Sequence, residues 1–188
     1  MERMATLLAG HGIAVVRFEF PYMAARREGG VRRPPDPQPR LLDCWRTVWD
    51  SINERMPGPW AIGGKSMGGR MASLLADELQ AAALVCLGYP FHAAGKPERP
   101  RVEHLAALRA PTLIVQGERD ALGSRERVQG YALSGSIRLH WLAAADHDFR
   151  PLRASGHTHD GHLSAAADAV ADFLAGLPCF REARRADV

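Results

Sequence analysis

The stretch Gly64-Lys65-Ser66-Met67-Gly68 has the spacing G-x-S-x-G, with further glycines at 63 and 69. A serine hydroxyl is a weak nucleophile until a base accepts its proton, and the base works only when a third group orients it. Both partners occur downstream, Asp120 in Gly117-Glu118-Arg119-Asp120 and His147 in Ala145-Asp146-His147-Asp148. An acid or a histidine in a loop is ordinary when taken singly. In the order Ser, Asp, His they fit acyl transfer: Ser66 attacks an ester-like carbonyl, His147 takes its proton and returns it to the leaving group, and Asp120 orients the imidazole.

Such chemistry needs elements that bring three distant residues to one edge. Short apolar runs predict strands over 13–18, 60–63, 82–87, 112–116 and 137–142, and helical spacing of apolar residues predicts helices over 1–9, 41–55, 67–79 and 163–177. Strand and helix alternate, which predicts an α/β class with a mostly parallel sheet and helices on its faces. Ser66 then lies on a sharp strand-to-helix turn whose glycines relieve crowding, with the Met67 backbone N–H and the helix N-terminus placed to stabilise an oxyanion. Asp120 and His147 follow the strands at 112–116 and 137–142, at the C-terminal edge where open parallel sheets keep their active sites. The stretches 20–40, 88–104 and 144–162 read as irregular. Two of them leave strand C-terminal ends, which makes Tyr22, Tyr89 and His92 the expected pocket lining. No insertion between 88 and 111 is long enough for a helical lid, so an open site for small or surface-presented substrates is expected.

Composition narrows the class. The 188 residues are 46% hydrophobic and 24% charged, as in an ordinary globular protein, and a single domain over 1–188 is expected. No apolar run is long enough to span a bilayer and no secretory leader opens the sequence, so a cytoplasmic, non-membrane protein is expected. Twenty-four basic against 21 acidic residues leave a net charge of only +3, and nearly all the basic groups are arginine. That balance gives no reason to expect a nucleic-acid partner. The arginines at 26, 27, 32, 33 and 40 fall among glycines and prolines and read as a solvated loop. Cys44, Cys86 and Cys179 are odd in number and lack C-x-x-C spacing, against both a disulfide framework and a zinc knuckle. Gly64-Lys65-Ser66 is not a phosphate loop, because Pro59 stands where that motif needs glycine. His157, His159, Asp160 and His162 do not have a zinc-binding spacing and read as a solvated loop, so no metal is expected.

The segments Gly63-Gly64-Lys65-Ser66-Met67-Gly68-Gly69-Arg70, Arg17-Phe18-Glu19-Phe20-Pro21-Tyr22-Met23, Leu87-Gly88-Tyr89-Pro90-Phe91-His92 and Gln116-Gly117-Glu118-Arg119-Asp120 resemble those of the α/β-hydrolases. Within that superfamily they are similar to a small bacterial branch of the dienelactone hydrolase and carboxylesterase type. The resemblance covers essentially the whole chain. It implies an α/β-hydrolase fold, with Ser66 as nucleophile, His147 as general base and acid, Asp120 as its partner and Met67 as one oxyanion donor, acting on a small ester-like substrate without a cofactor. It specifies no oligomeric state. The family carries earlier strands and an HG-type loop that gives a second oxyanion N–H, and this chain opens at what resembles the following helix. The expectation is an N-terminally shortened form with Met1 internal and a gap beside strand 60–63; the opposing expectation is a rearranged sheet in which 13–18 and 60–63 pair directly. The alternative to an enzyme is a non-catalytic interaction module built on the same fold.

Overall fold

The computed structural model describes residues 1–27, 29 and 34–186. In chain order the helices are α1 (Glu2–Gly10), α2 (Pro21–Arg27), α3 (Gln38–Arg55), α4 (Met67–Leu75), α5 (Glu103–Ala106), α6 (Arg125–Val128), α7 (His159–Gly176) and α8 (Pro178–Ala186). The strands are β1 (Ala61–Lys65), β2 (Ala83–Leu87), β3 (His92–Ala93), β4 (Lys96–Pro100), β5 (Thr112–Gly117) and β6 (Ile137–Leu142).

Strands β1, β2, β5 and β6 lie side by side in that order, every pair parallel. Both faces of the sheet are covered, so its strands carry continuous apolar runs that split by alternation. Leu84, Cys86 and Ile114 point to one face, against Leu41 and Trp45 of α3 and Met71 and Leu75 of α4. Ala83, Leu87, Leu113 and Val115 point to the other, against Met4 of α1 and Ala166, Ala167, Val170, Phe173 and Leu174 of α7. The α7 residues recur at helical spacing and form one apolar stripe. Each large side chain buried this way contributes roughly 1.5–3 kcal/mol.

The strand expected over 13–18 is absent. Residues 13–20 are irregular, and β1 is the edge of the sheet with β2 as its sole ladder partner among the described residues. A strand exists by its ladder, and without a neighbour this apolar segment is held by side chains instead. Phe18 packs edge-on to Trp45 at 4.6 Å between ring centroids, and Phe20 is buried. Val15 and Val16 remain 39% and 47% exposed. Direct pairing of 13–18 with 60–63 is therefore not what the chain does.

All three stretches read as irregular contain structure, 144–162 holding a 3-10 turn at Arg153–Ser155 and the start of α7. Residues 20–40 include α2 and the first turn of α3, which begins at Gln38 because Pro39 is tolerated where no N–H donor is needed. Residues 88–104 fold into the antiparallel β3–β4 ribbon, whose prolines are allowed because neither strand is central. Arg26 and Arg27 of the expected basic loop belong to α2 and Arg40 to α3, while Arg32 and Arg33 lie outside the described residues. Helix α7 starts at His159 rather than 163, since Thr158 Oγ1 accepts the Gly161 N–H at 3.0 Å and caps it. Pro178 opens α8.

Candidate active site

Ser66 sits between the last residue of β1 and the first of α4 at φ 52° and ψ −116°, a strained left-handed conformation. Its N–H donates to the Leu87 carbonyl at 2.9 Å and its carbonyl accepts from Arg70 N–H at 3.0 Å, so both the strand and the helix hold it. The turn is this tight because glycine is on both sides of it: a Cβ on Gly69 would stand 2.6 Å from the Gly64 carbonyl oxygen. Met67 is the first residue of α4, so its N–H has no intrahelical acceptor.

The other two residues arrive from the ends of β5 and β6. Asp120 lies three residues beyond β5 with no exposed surface. His147, five residues beyond β6, donates from Nδ1 to Asp120 Oδ2 at 2.8 Å, and its Nε2 is 2.8 Å from Ser66 Oγ. Because a carboxylate only accepts, the ring proton sits on Nδ1 and leaves Nε2 to accept the serine proton. Gly117 lets the two loops meet, since a Cβ there would stand 2.6 Å from the Ala145 carbonyl oxygen. The three residues singled out in the sequence therefore form one hydrogen-bonded chain across three strand ends.

Gln116 was not assigned a role from the sequence, yet it is the hub beneath this chain. Fully buried at the end of β5, its Nε2 donates to Asp120 Oδ2 at 2.8 Å and to the Tyr89 and Gly123 carbonyls at 3.2 Å each. Its Oε1 accepts the Tyr89 N–H at 2.7 Å. The signal available was a lone amide in an otherwise apolar strand. Asp120 Oδ1 accepts from Leu122 N–H at 2.8 Å, so each oxygen of the carboxylate is bonded.

Beside Ser66 is a cavity of about 360 Å³ lined by Met67, Arg70, His92, Arg101 and Leu122 among others. Of the three expected lining residues only His92 borders it. Tyr89 does not: its ring is wholly buried and its hydroxyl donates to the Arg101 carbonyl at 3.0 Å. Tyr22 is buried too, stacked on Phe20 and covered by Arg26. Aromatic bulk drew both into the core rather than onto the pocket wall. Arg70 and Arg101, not singled out in the sequence, border it instead. A larger cavity of about 540 Å³ lies near Trp49 and Trp60 at the N-terminal end of β1, and none of Ser66, Asp120 or His147 borders it.

Lys65 flanks the site, its Nζ 3.3 Å from Asp148 Oδ1. Burial works against the Asp148 carboxylate, but the Lys65 ammonium, helped by His147 and Arg150, holds its pKa below the ordinary value. A second serine–histidine contact, Ser73 Oγ to His104 Nε2 at 2.8 Å, lies elsewhere on α4. Ser73 is buried with its hydroxyl donating to the Arg70 carbonyl at 2.8 Å, and no carboxylate bonds to His104 among the described residues. It lacks the orienting acid that the Ser66 chain has. His162, from the histidine-rich stretch, is turned inward, its Nδ1 donating to the Phe149 carbonyl at 3.0 Å. Among the described residues no three ligating side chains are gathered.

Solved structures with this arrangement of elements include an α/β serine hydrolase from Xanthomonas campestris described as being without a lid, with a TM-score of 0.67, 21% identity, and 94% of this chain covering 73% of that one. An α/β serine hydrolase homologue from Coxiella burnetii matches with a TM-score of 0.64 and 19% identity, over 90% of this chain and 75% of the other. The esterase domain of a Rhodothermus marinus protein matches with a TM-score of 0.64 and 17% identity, over 92% and 77%. At these identities the likeness is one of fold. The sequence model of an α/β-hydrolase domain family matches residues 1–175, nearly the whole chain. With the sheet, the strand-to-helix turn at Ser66 and that match together, the chain belongs to the α/β-hydrolase family.

Proposed function

We propose that this chain is a serine hydrolase that cleaves a small ester-like substrate through an acyl-enzyme, with Ser66 as nucleophile, His147 as general base and then acid, and Asp120 as the group that orients it. The observation that carries the reading is the pair of 2.8 Å contacts, Ser66 Oγ to His147 Nε2 and His147 Nδ1 to Asp120 Oδ2, on three separate strand ends. As Ser66 Oγ bonds to the carbonyl carbon, its proton passes to Nε2, and the imidazolium so formed is stabilised by the buried Asp120 carboxylate. The oxyanion accepts the Met67 N–H, a contact of the type worth about 3–4 kcal/mol in the transition state. Collapse of the tetrahedral species expels the alcohol, which takes the proton back from His147. A water then repeats the sequence on the acyl-enzyme and frees the acid. His92 lies on the cavity wall, where it would meet the substrate.

Hydrolysis of 4-nitrophenyl acetate by the parent and by Ser66→Ala and Asp120→Asn tests the assignment. The alanine variant is expected to fall to background, and the asparagine variant to lose about 10³- to 10⁴-fold in kcat by holding the wrong imidazole tautomer. An unchanged rate in Ser66→Ala overturns the triad assignment; a folded parent with no activity above background favours the interaction-module reading.

A further inference from the structure

Of the three reacting residues, His147 has the least support from regular structure: Ser66 is held by β1 and α4 and Asp120 is buried, whereas His147 stands within the loop 143–151 that leaves β6. Inside that loop, Asp146 Oδ1 accepts the Asp148 and Arg150 N–H groups at 2.9 Å each, and the Asp146 carbonyl accepts the Phe149 N–H at 3.0 Å. The Asp148 and Phe149 carbonyls receive no backbone N–H among the described residues. Both are met from the start of α7. His159 donates from Nε2 to the Asp148 carbonyl at 3.0 Å, and His162 donates from Nδ1 to the Phe149 carbonyl at 3.0 Å. Three residues apart, the two rings share a face of the helix and reach the carbonyls of the two residues that directly follow His147.

Phe149 needs that hold. Its φ of 65° is left-handed, a conformation sparsely populated by a bulky side chain, and such residues persist where their surroundings over-determine them. Its ring is buried in the apolar layer that includes Val115 and Val170, and its carbonyl is bonded to His162. His162 is itself only 5% exposed, and its Nε2 is buried with no hydrogen-bond partner among the described residues. An apolar side chain would fill that space without stranding a ring nitrogen, but it would leave the Phe149 carbonyl without a donor. Neither His159 nor His162 borders the cavity beside Ser66, so their route to the reaction runs through the backbone that carries His147.

We propose that His159 and His162 are positioning residues for His147: two ring N–H groups on α7 grip consecutive carbonyls of its loop and so set the imidazole between Ser66 Oγ and Asp120 Oδ2. This rests on the serine-hydrolase reading and adds two residues that act through the base without touching substrate. The effect is read in the rate, since a displacement of about 1 Å in the reacting groups costs on the order of 10²-fold.

The test measures kcat and KM for 4-nitrophenyl acetate in the parent, in His162→Leu and His159→Leu, and in His162→Asn and His159→Gln, with a urea midpoint for each. The asparagine amide brings a donor to the place of the His162 Nδ1 and the glutamine amide to that of the His159 Nε2, so each keeps the bond that leucine removes. His162→Leu is expected to lose about 10- to 100-fold in kcat with KM within about two-fold, His159→Leu about 3- to 10-fold, and each amide variant to recover most of the loss. Parental kcat in both folded leucine variants, or amide variants no better than their leucine counterparts, overturns the proposal. If His162→Leu does not fold, His159→Leu against His159→Gln, at the half-buried first residue of α7, carries the same comparison. If the parent hydrolyses nothing above background, the serine-hydrolase reading fails on its own, and the ¹⁵N shifts of the His147 ring decide the positioning. Loss of the Nδ1–H form in the double leucine variant and its return in the double amide variant support the proposal, and unchanged shifts overturn it.

Discussion

Asp120 and Gln116 are four residues apart, both without exposed surface, and bonded to each other at 2.8 Å. A buried carboxylate is costly unless each oxygen has a partner, and here the partners are the His147 ring, the Gln116 amide and the Leu122 N–H. Gln116 also holds both backbone groups of Tyr89, so one amide ties the end of β5 to the loop after β2. Gln116→Met keeps the side-chain volume but leaves the Tyr89 N–H without its acceptor and takes one donor from the buried Asp120 carboxylate. The expected cost is about 1–3 kcal/mol for such stranded polar groups, read as a fall in the midpoint of urea unfolding at unchanged slope. A variant as stable as the parent would mean that the Gln116 bonds contribute nothing net. The serine, the acid and the histidine were legible from order and spacing, because chemistry constrains residue type. Gln116 was not, because a glutamine in a strand gives no sign of what it bonds until the loops after β2 and β5 are placed.

The crossing of β1 and α4 depends on two small residues. Gly64 and Gly69 let the first turn of α4 pass close to the end of β1, which is what lifts Ser66 onto the edge of the sheet. In Gly69→Ala the new methyl would lie 2.6 Å from the Gly64 carbonyl oxygen and 3.2 Å from Cys86 Sγ, so the helix must move off the strand. The expected result is a loss of about 1–3 kcal/mol in stability together with reduced reactivity of Ser66, measured by denaturant unfolding and ester hydrolysis on the same sample. Unaltered values on both would show that the elbow has room to spare. Strand-helix alternation made this element pair readable in advance, whereas the segment 13–20 misled. Its apolar residues have the composition of a strand, but a strand also needs a ladder partner, and that requirement is not local to the sequence. The β3–β4 ribbon escaped for the opposite reason, since its proline-rich β4 has poor strand propensity and is formed by pairing across a turn.

At the scale of the molecule, two apolar layers clasp the sheet and the polar groups collect at its C-terminal edge, with one further polar cluster buried beneath α4. There His104 meets Ser73 at 2.8 Å and Tyr89 at 3.4 Å, with Arg70 near by. Burial first, and the Arg70 charge second, lower its pKa from 6.5 to about 4. Between those values the unfolded chain binds a proton that the folded chain refuses, so stability is lost as pH falls from about 6.5 towards 4. His104→Gln, which does not titrate, should flatten the thermal midpoint over that window relative to the parent while leaving the slope above pH 7 alone. Parallel curves for the two proteins would contradict the assignment of that slope to His104.

The arrangement at the sheet edge makes one claim on which the rest depends: that Ser66 alone among the serines is an activated nucleophile in the folded chain. Labelling with an active-site serine phosphonate, followed by peptide mass mapping of the parent and of His147→Gln, measures it directly. The account predicts one adduct per chain on Ser66 in the parent and labelling slowed by orders of magnitude in the variant. No adduct on the folded parent, or an adduct on Ser73 instead, would contradict it.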